Sequence, residues 1–178
     1  QEAQLSDVAL QIDFVARQFL GTPYVAKTLE GVPEQLTINT SQLDCTTLVE
    51  TVIAMVLSAT QQHPSHHHFA STLRMLRYRD GVVNGYASRL HYVSDWIIEN
   101  TRRGNFSEVT HSAPGALRSY KKIDFISTHS HAYPALENAP DMLEQIVAVE
   151  RNFAQFSFHY IPKNLLNDEA INLWLQVG

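Results

Sequence analysis

A single cysteine, Cys45, occurs in the 178 residues, within the run Leu43-Asp44-Cys45-Thr46-Thr47-Leu48-Val49-Glu50, where a helix is expected to begin. A lone thiol forms no internal disulfide, so it is explained either by packing, as a small buried hydrophobe, or by chemistry. The chemical reading rests on position. N–H groups in the first turn of a helix lack intrahelical partners and carry the positive end of its dipole, which favours a thiolate. A cationic neighbour, such as a protonated histidine, favours it further. Asp44 is the expected N-cap, its carboxylate accepting from backbone N–H groups one turn on.

A thiolate nucleophile also needs a general base and a group that orients the base. The nine histidines are His63, His66, His67, His68, His91, His111, His129, His131 and His159. His91 is the internal candidate because Asp95 follows four residues later, on the same face if a helix starts early enough, and could fix the imidazole tautomer. Such a pair is more often a structural or surface feature than a catalytic one. The tract His63-Pro64-Ser65-His66-His67-His68 invites zinc, which needs three or four convergent ligands. No Asp or Glu lies between Gln61 and Leu76, Pro64 breaks the spacing, and no His-Glu-x-x-His occurs. The tract therefore reads as a solvated loop and helix start, and no metal ligand is assigned. The seven glycines form no phosphate-binding loop, so nucleotide cofactors have no support.

The elements that must position these residues follow from periodicity. Cys45, Leu48, Val49, Val52, Ile53 and Val56 recur on one face of a helix, and further apolar residues off that stripe predict burial on most sides. An earlier helix is expected from Asp7 to Leu20, capped by Ser6 and stopped by Gly21 and Pro23, with a short extended piece at Leu36 to Asn39. A third, from about His66 to Tyr78, would place Phe69, Leu73 and Leu76 inward and Arg74 and Arg77 outward. Asp80-Gly81 and Asn84-Gly85 are turn dipeptides. Trp96 and Ile97 belong to a further helix ending before Gly104, and residues 106–110 and 117–127 read as strands. Pro140 to Phe156 is helical, residues 156–161 extended, and Asn164 to Leu175 a last helix. The expectation is one α+β domain over 1–178, helix-rich with short strands.

Composition narrows the class. With 44% hydrophobic residues and 13 basic against 18 acidic side chains, giving a net charge of −5, the chain is globular, with no bias towards nucleic acid or anionic membranes. No apolar run approaches the length that spans a bilayer. Gln1-Glu2-Ala3-Gln4 resembles the polar start of a mature exported protein, and the apolar ending at Ile171 to Val177 suggests that the natural polypeptide continues.

Leu20-Gly21-Thr22-Pro23-Tyr24, followed by Leu43-Asp44-Cys45-Thr46-Thr47-Leu48-Val49, resembles the paired motifs of the NlpC-type, papain-like cell-wall cysteine hydrolases. Arg77 to Gly81, Gly85 to Tyr92 with Ser94-Asp95-Trp96, and Ile123 to His129 resemble one branch of them, the N-acetylmuramoyl-L-alanine amidase-like group. The resemblance implies a periplasmic or secreted cysteine amidase without cofactor. Its substrates would be peptidoglycan fragments, muropeptides cleaved between muramic acid and the first alanine. It implies Cys45 as nucleophile, with Tyr24 and Asp44 in its cleft, and sugar or peptide recognition by Arg89, Tyr92, Ser94, Trp96, Ser127 and His129. The superfamily's histidine precedes Val-Gly, a pattern this chain lacks. Either that base lies beyond Gly178, with the chain the N-terminal part of a longer catalytic domain and the papain-like sheet largely outside it, or His91 with Asp95 substitutes. A muropeptide-binding module without turnover and a zinc amidase built on the histidine tract are the alternatives.

Overall fold

The computed structural model describes residues 2–120 and 122–166. They form two compact units, one from residues 2–30 and 35–83, the other from 31–34 and 84–166.

The first unit is built on three helices, α1 (Glu2–Arg17), α2 (Cys45–Ala59) and α3 (His66–Arg77), with α2 packed against both of the others. α1 starts before the expected cap, so Ser6 lies inside the helix, and it ends at Arg17 before a turn that reaches Gly21 at φ 86°. The buried side of α2 differs from the expected stripe. Thr47, Glu50, Thr51, Ala54 and Ser58 are buried along with Val52 and Val56, whereas Val49 is 48% exposed. Hydrophobicity alone misplaced that face because several inward residues are polar, Thr47 bonded to Asp44, Glu50 to Arg77 and Ser58 to the Met55 carbonyl. Burial on most sides is nonetheless what the structure shows.

Ala54 meets Leu73 and Leu76 of α3 in the core, with Leu36, Ile53 and Phe69 around them. Arg77, expected on the outside, is buried. Its Nε donates to Glu50 of α2 at 2.7 Å, and its Nη1 donates to the Thr37 carbonyl at 2.6 Å. The Tyr78 hydroxyl donates to the Gln35 carbonyl at 3.0 Å. These side chains hold the segment expected to be extended at residues 36–39, which forms no strand. Asp80 and Gly81 turn at φ 51° and 68°, as the dipeptide suggested, and a side chain at Gly81 would collide with Met75.

The second unit contains α4 (Val93–Arg102), β1 (Leu117–Ser119), α5 (Phe125–Thr128), α6 (Pro140–Phe153) and β2 (Phe158–Tyr160). β1 and β2 pair antiparallel, Arg118 opposite His159, in the two-stranded sheet of the described residues. Of the strand expectations, 156–161 is met by β2, 117–127 only in its first residues by β1, and 106–110 not at all. Residues 106–109 are irregular and lead into a 3-10 turn at Thr110–Ser112, while the region 117–127 holds only three strand residues before α5 begins. Tyr86, Ala87, Ile126, Leu136 and Ile146 form the core, flanked by Tyr92, Tyr133, Met142 and Leu143. The helix expected from Asn164 to Leu175 begins instead as a 3-10 turn, Lys163–Leu165, and its remainder lies outside the described residues. The molecule is a helix-rich α+β protein.

Candidate active site

Cys45 is the first residue of α2, and it is exposed. Packing therefore does not account for it. The helix start is fixed by a reciprocal cap: the Asp44 carboxylate accepts from the Thr47 N–H at 2.8 Å, and the Thr47 hydroxyl accepts from the Asp44 N–H at 2.8 Å. This satisfies two otherwise orphaned donors and holds the first turn in one geometry. The Cys45 N–H sits in that turn, where helical geometry offers it no acceptor.

Tyr24 reaches the same place through the backbone. The Val25 N–H donates to the Leu43 carbonyl at 3.0 Å and the Leu43 N–H to the Pro23 carbonyl at 3.2 Å, a parallel bridge that sets Tyr24 beside the residues entering α2. Its side chain is 71% exposed. The electrostatic interaction with Cys45, then desolvation, the Asp44 charge and a hydrogen bond with Cys45 raise the phenol's pKa above its ordinary value. Tyr24 thus stays a proton donor next to the thiol. Two apolar grooves of this unit, one lined by Ile38, Met55, Pro64 and Phe69 and the other by Leu10, Phe14 and Val56, do not include Cys45.

The remaining candidates belong to the second unit. Arg89 is only 5% exposed, ion-paired with Glu34 at 3.4 Å and placed over the Tyr86 ring at 5.0 Å. Asp95 and Trp96 are buried in α4, Trp96 against Phe106 at 5.0 Å, and Ser94 is partly buried in the first turn. His91 precedes α4, whose N-cap is Tyr92, so it does not share a helix face with Asp95. Its Nε2 lies 2.8 Å from the Tyr86 carbonyl, and its ring centroid is 4.2 Å from that of Tyr86. Because a carbonyl only accepts, the proton at this contact belongs to Nε2.

Tyr92 and Ser127 are brought together by a residue the sequence reading did not single out. Glu150 of α6 is 4% exposed and accepts from the Tyr92 hydroxyl at 2.7 Å and the Ser127 N–H at 3.1 Å. The Ile126 N–H donates to the Tyr92 oxygen at 2.8 Å. Burial, with a further upward contribution from Glu150, raises the Tyr92 pKa well above its ordinary value despite the lowering by the Ile126 N–H. An acidic residue at i+4 from Ile146, on the inward face of a helix, was the available signal. His129, exposed, caps α5 and stacks on Phe125. Among the described residues, no group of three or more His, Cys, Asp or Glu converges as metal ligands.

A family profile described as N-acetylmuramoyl-L-alanine amidase-like, AmiA-like, matches residues 14–178. The chain belongs to that family. The amidase-like family is one of peptidoglycan hydrolases, and solved structures agree with the assignment. An N-acetylmuramoyl-L-alanine amidase from Bacteroides uniformis is 38% identical at a TM-score of 0.82, over 90% of this chain and 67% of its own. A Bacteroides fragilis protein provisionally described as a xylanase is also 38% identical, at a TM-score of 0.81, over 86% of this chain and 67% of its own. A Legionella pneumophila protein, 21% identical with a TM-score of 0.67 over 96% of this chain and 64% of its own, shares the fold. No curated protein matches at the same stringency.

Proposed function

We propose that this amidase-like chain is a cysteine amidase of NlpC type. It cleaves the amide between N-acetylmuramic acid and the first alanine of a muropeptide, with Cys45 as nucleophile, in a periplasmic or secreted setting. The observation that carries the reading is the solvent-exposed thiol at the first residue of a doubly capped helix, beside a protonated tyrosine. The Cys45 sulfur attacks the amide carbonyl carbon, forming a C–S bond and moving the carbonyl electron pair onto oxygen. The Cys45 N–H and the Tyr24 hydroxyl are the two donors offered to that oxyanion. Collapse breaks the C–N bond, the alanine nitrogen leaves with the proton taken from the thiol, and water then hydrolyses the thioester.

A defined muramoyl-tetrapeptide incubated with the native chain, a Cys45→Ser variant and an EDTA-treated sample tests this by mass spectrometry. Release of a peptide with a free N-terminal alanine by the native and EDTA-treated samples, and not by Cys45→Ser, is expected. Turnover by Cys45→Ser would end the cysteine mechanism, and loss on chelation would favour a metal amidase.

A further inference from the structure

We propose that Asn84 and Gly85 form a self-modifying site. The Gly85 backbone nitrogen displaces the Asn84 side-chain amide and leaves aspartate or isoaspartate in a turn that shapes the core of the second unit. Asn84 is the only asparagine of the chain that precedes a glycine. It is exposed, and its side-chain amide makes no hydrogen bond among the described residues. The amides of Asn39, Asn100 and Asn105 are by contrast committed, to the Ser41 N–H, the Trp96 carbonyl and Asn100 respectively. The Gly85 N–H is uncommitted as well among the described residues.

The fold itself keeps the glycine there. Gly85 sits at φ 72°, where a side chain is strained, and a Cβ would lie 3.2 Å from the Met142 methyl. With no Cβ, nothing on Gly85 shields its nitrogen from the neighbouring amide. Ser88 braces the same turn. Its hydroxyl accepts from the Asn84 N–H at 2.9 Å and donates to the Gly85 carbonyl at 2.7 Å, which also accepts from the Ser88 N–H at 3.1 Å. These bonds engage the backbone on either side of the Asn84–Gly85 peptide and leave the Gly85 N–H and the Asn84 amide as the reacting pair.

The reaction needs only water and hydroxide. The Gly85 nitrogen gives its proton to hydroxide and forms an N–C bond to Asn84 Cγ. The Cγ–Nδ2 bond then breaks, and Nδ2 takes a proton from water and leaves as ammonia, closing a succinimide. Water opens the ring. Cleavage at Cγ gives aspartate, and cleavage at the main-chain carbonyl, the more electrophilic of the two, gives isoaspartate, so that one water enters for each ammonia lost. Isoaspartate lengthens the backbone by a methylene, and the Ser88 hydroxyl then no longer spans from the residue 84 N–H to the Gly85 carbonyl. Tyr86 and Ala87, only 3% and 7% exposed in the core, follow directly and lose the brace that sets them there.

The test incubates the folded full chain and an Asn84→Gln variant at mildly alkaline pH in heavy-oxygen water, then reads the tryptic peptide Asp80–Arg89 by mass spectrometry. The native peptide is expected to lose ammonia and gain heavy oxygen at residue 84 before any other asparagine does, with isoaspartate identified by electron-transfer fragmentation. Asn84→Gln, whose longer side chain closes a larger ring far more slowly, should keep its mass. Retention of the Asn84 amide in the folded chain, or earlier loss at another asparagine, overturns the site. The acidic fraction collected by ion exchange, rich in isoaspartate, is then unfolded by heat beside the fresh chain and an Asn84→Asp variant. A lower midpoint for the aged fraction alone is expected, because Asn84→Asp adds the charge without lengthening the backbone. An unchanged midpoint in the aged fraction, or an equal fall in Asn84→Asp, overturns the loosening of the turn.

Discussion

A free cysteine is usually buried, and the exposure of Cys45 at the first helical residue needs a cause other than packing. Tyr24 supplies the strongest local argument, because its phenol adjoins the sulfur, which raises its pKa further above the neutral range. If it donates to the oxyanion, Tyr24→Phe lowers kcat by roughly a hundredfold and leaves KM close to native, the signature of an interaction made only in the transition state. A comparable rise in KM with unchanged kcat would instead make Tyr24 a binding residue. The sequence placed Cys45 at a helix start clearly, since Asp44 is a strong N-cap type directly before it; it showed Thr47's part in the cap less directly. It showed Arg89 less well. The guanidinium for which the resemblance implies recognition is buried beside Glu34, a partner whose proximity depends on the chain's tertiary path.

The cap and the ion pair make α2 a rigid mount. Asp44→Ala removes the acceptor for the Thr47 N–H and is expected to cost about 1 kcal/mol. Thermal unfolding would show this, together with a fall in activity because the first turn carries the thiol. Glu50→Ala is more severe. It strands Arg77, whose side chain is 3% exposed, and loss of one partner from a buried pair costs roughly 3–5 kcal/mol, readable as a lower denaturant midpoint. Retention of native stability in Glu50→Ala would show that water reaches Arg77 and that the pair is dispensable. Helix existence was legible here from periodicity, and α2, α3 and α4 all lie close to where apolar spacing puts them. The buried face of α2 was not, because Thr47, Glu50, Thr51 and Ser58 read as solvent-facing until their partners are known. The failed strands have a related cause: alternation over 117–127 is cut short by α5, whose start depends on the distant Tyr92 and Glu150.

At the scale of the molecule, each unit is locked by a buried carboxylate that composition could not reveal: Glu50 with Arg77 in one, Glu150 with Tyr92 in the other. The second lock gives the protein an alkaline limit. The folded state raises the Tyr92 pKa above the ordinary phenol value of about 10, so folding favours the protonated tyrosine. The contribution to stability is therefore complete below that value and is lost as pH rises above it, by up to about 1.4 kcal/mol for each pH unit. Tyr92→Phe is expected to be less stable at pH 7, having lost its bonds to Glu150 and Ile126, yet to show a shallower decline above pH ~10. Denaturant midpoints of the two proteins, measured between neutral and alkaline pH, should converge. Parallel curves would mean that the Tyr92 phenol titrates alike in the folded and unfolded chains, and that the clamp on α5 owes its strength to packing instead of to the proton.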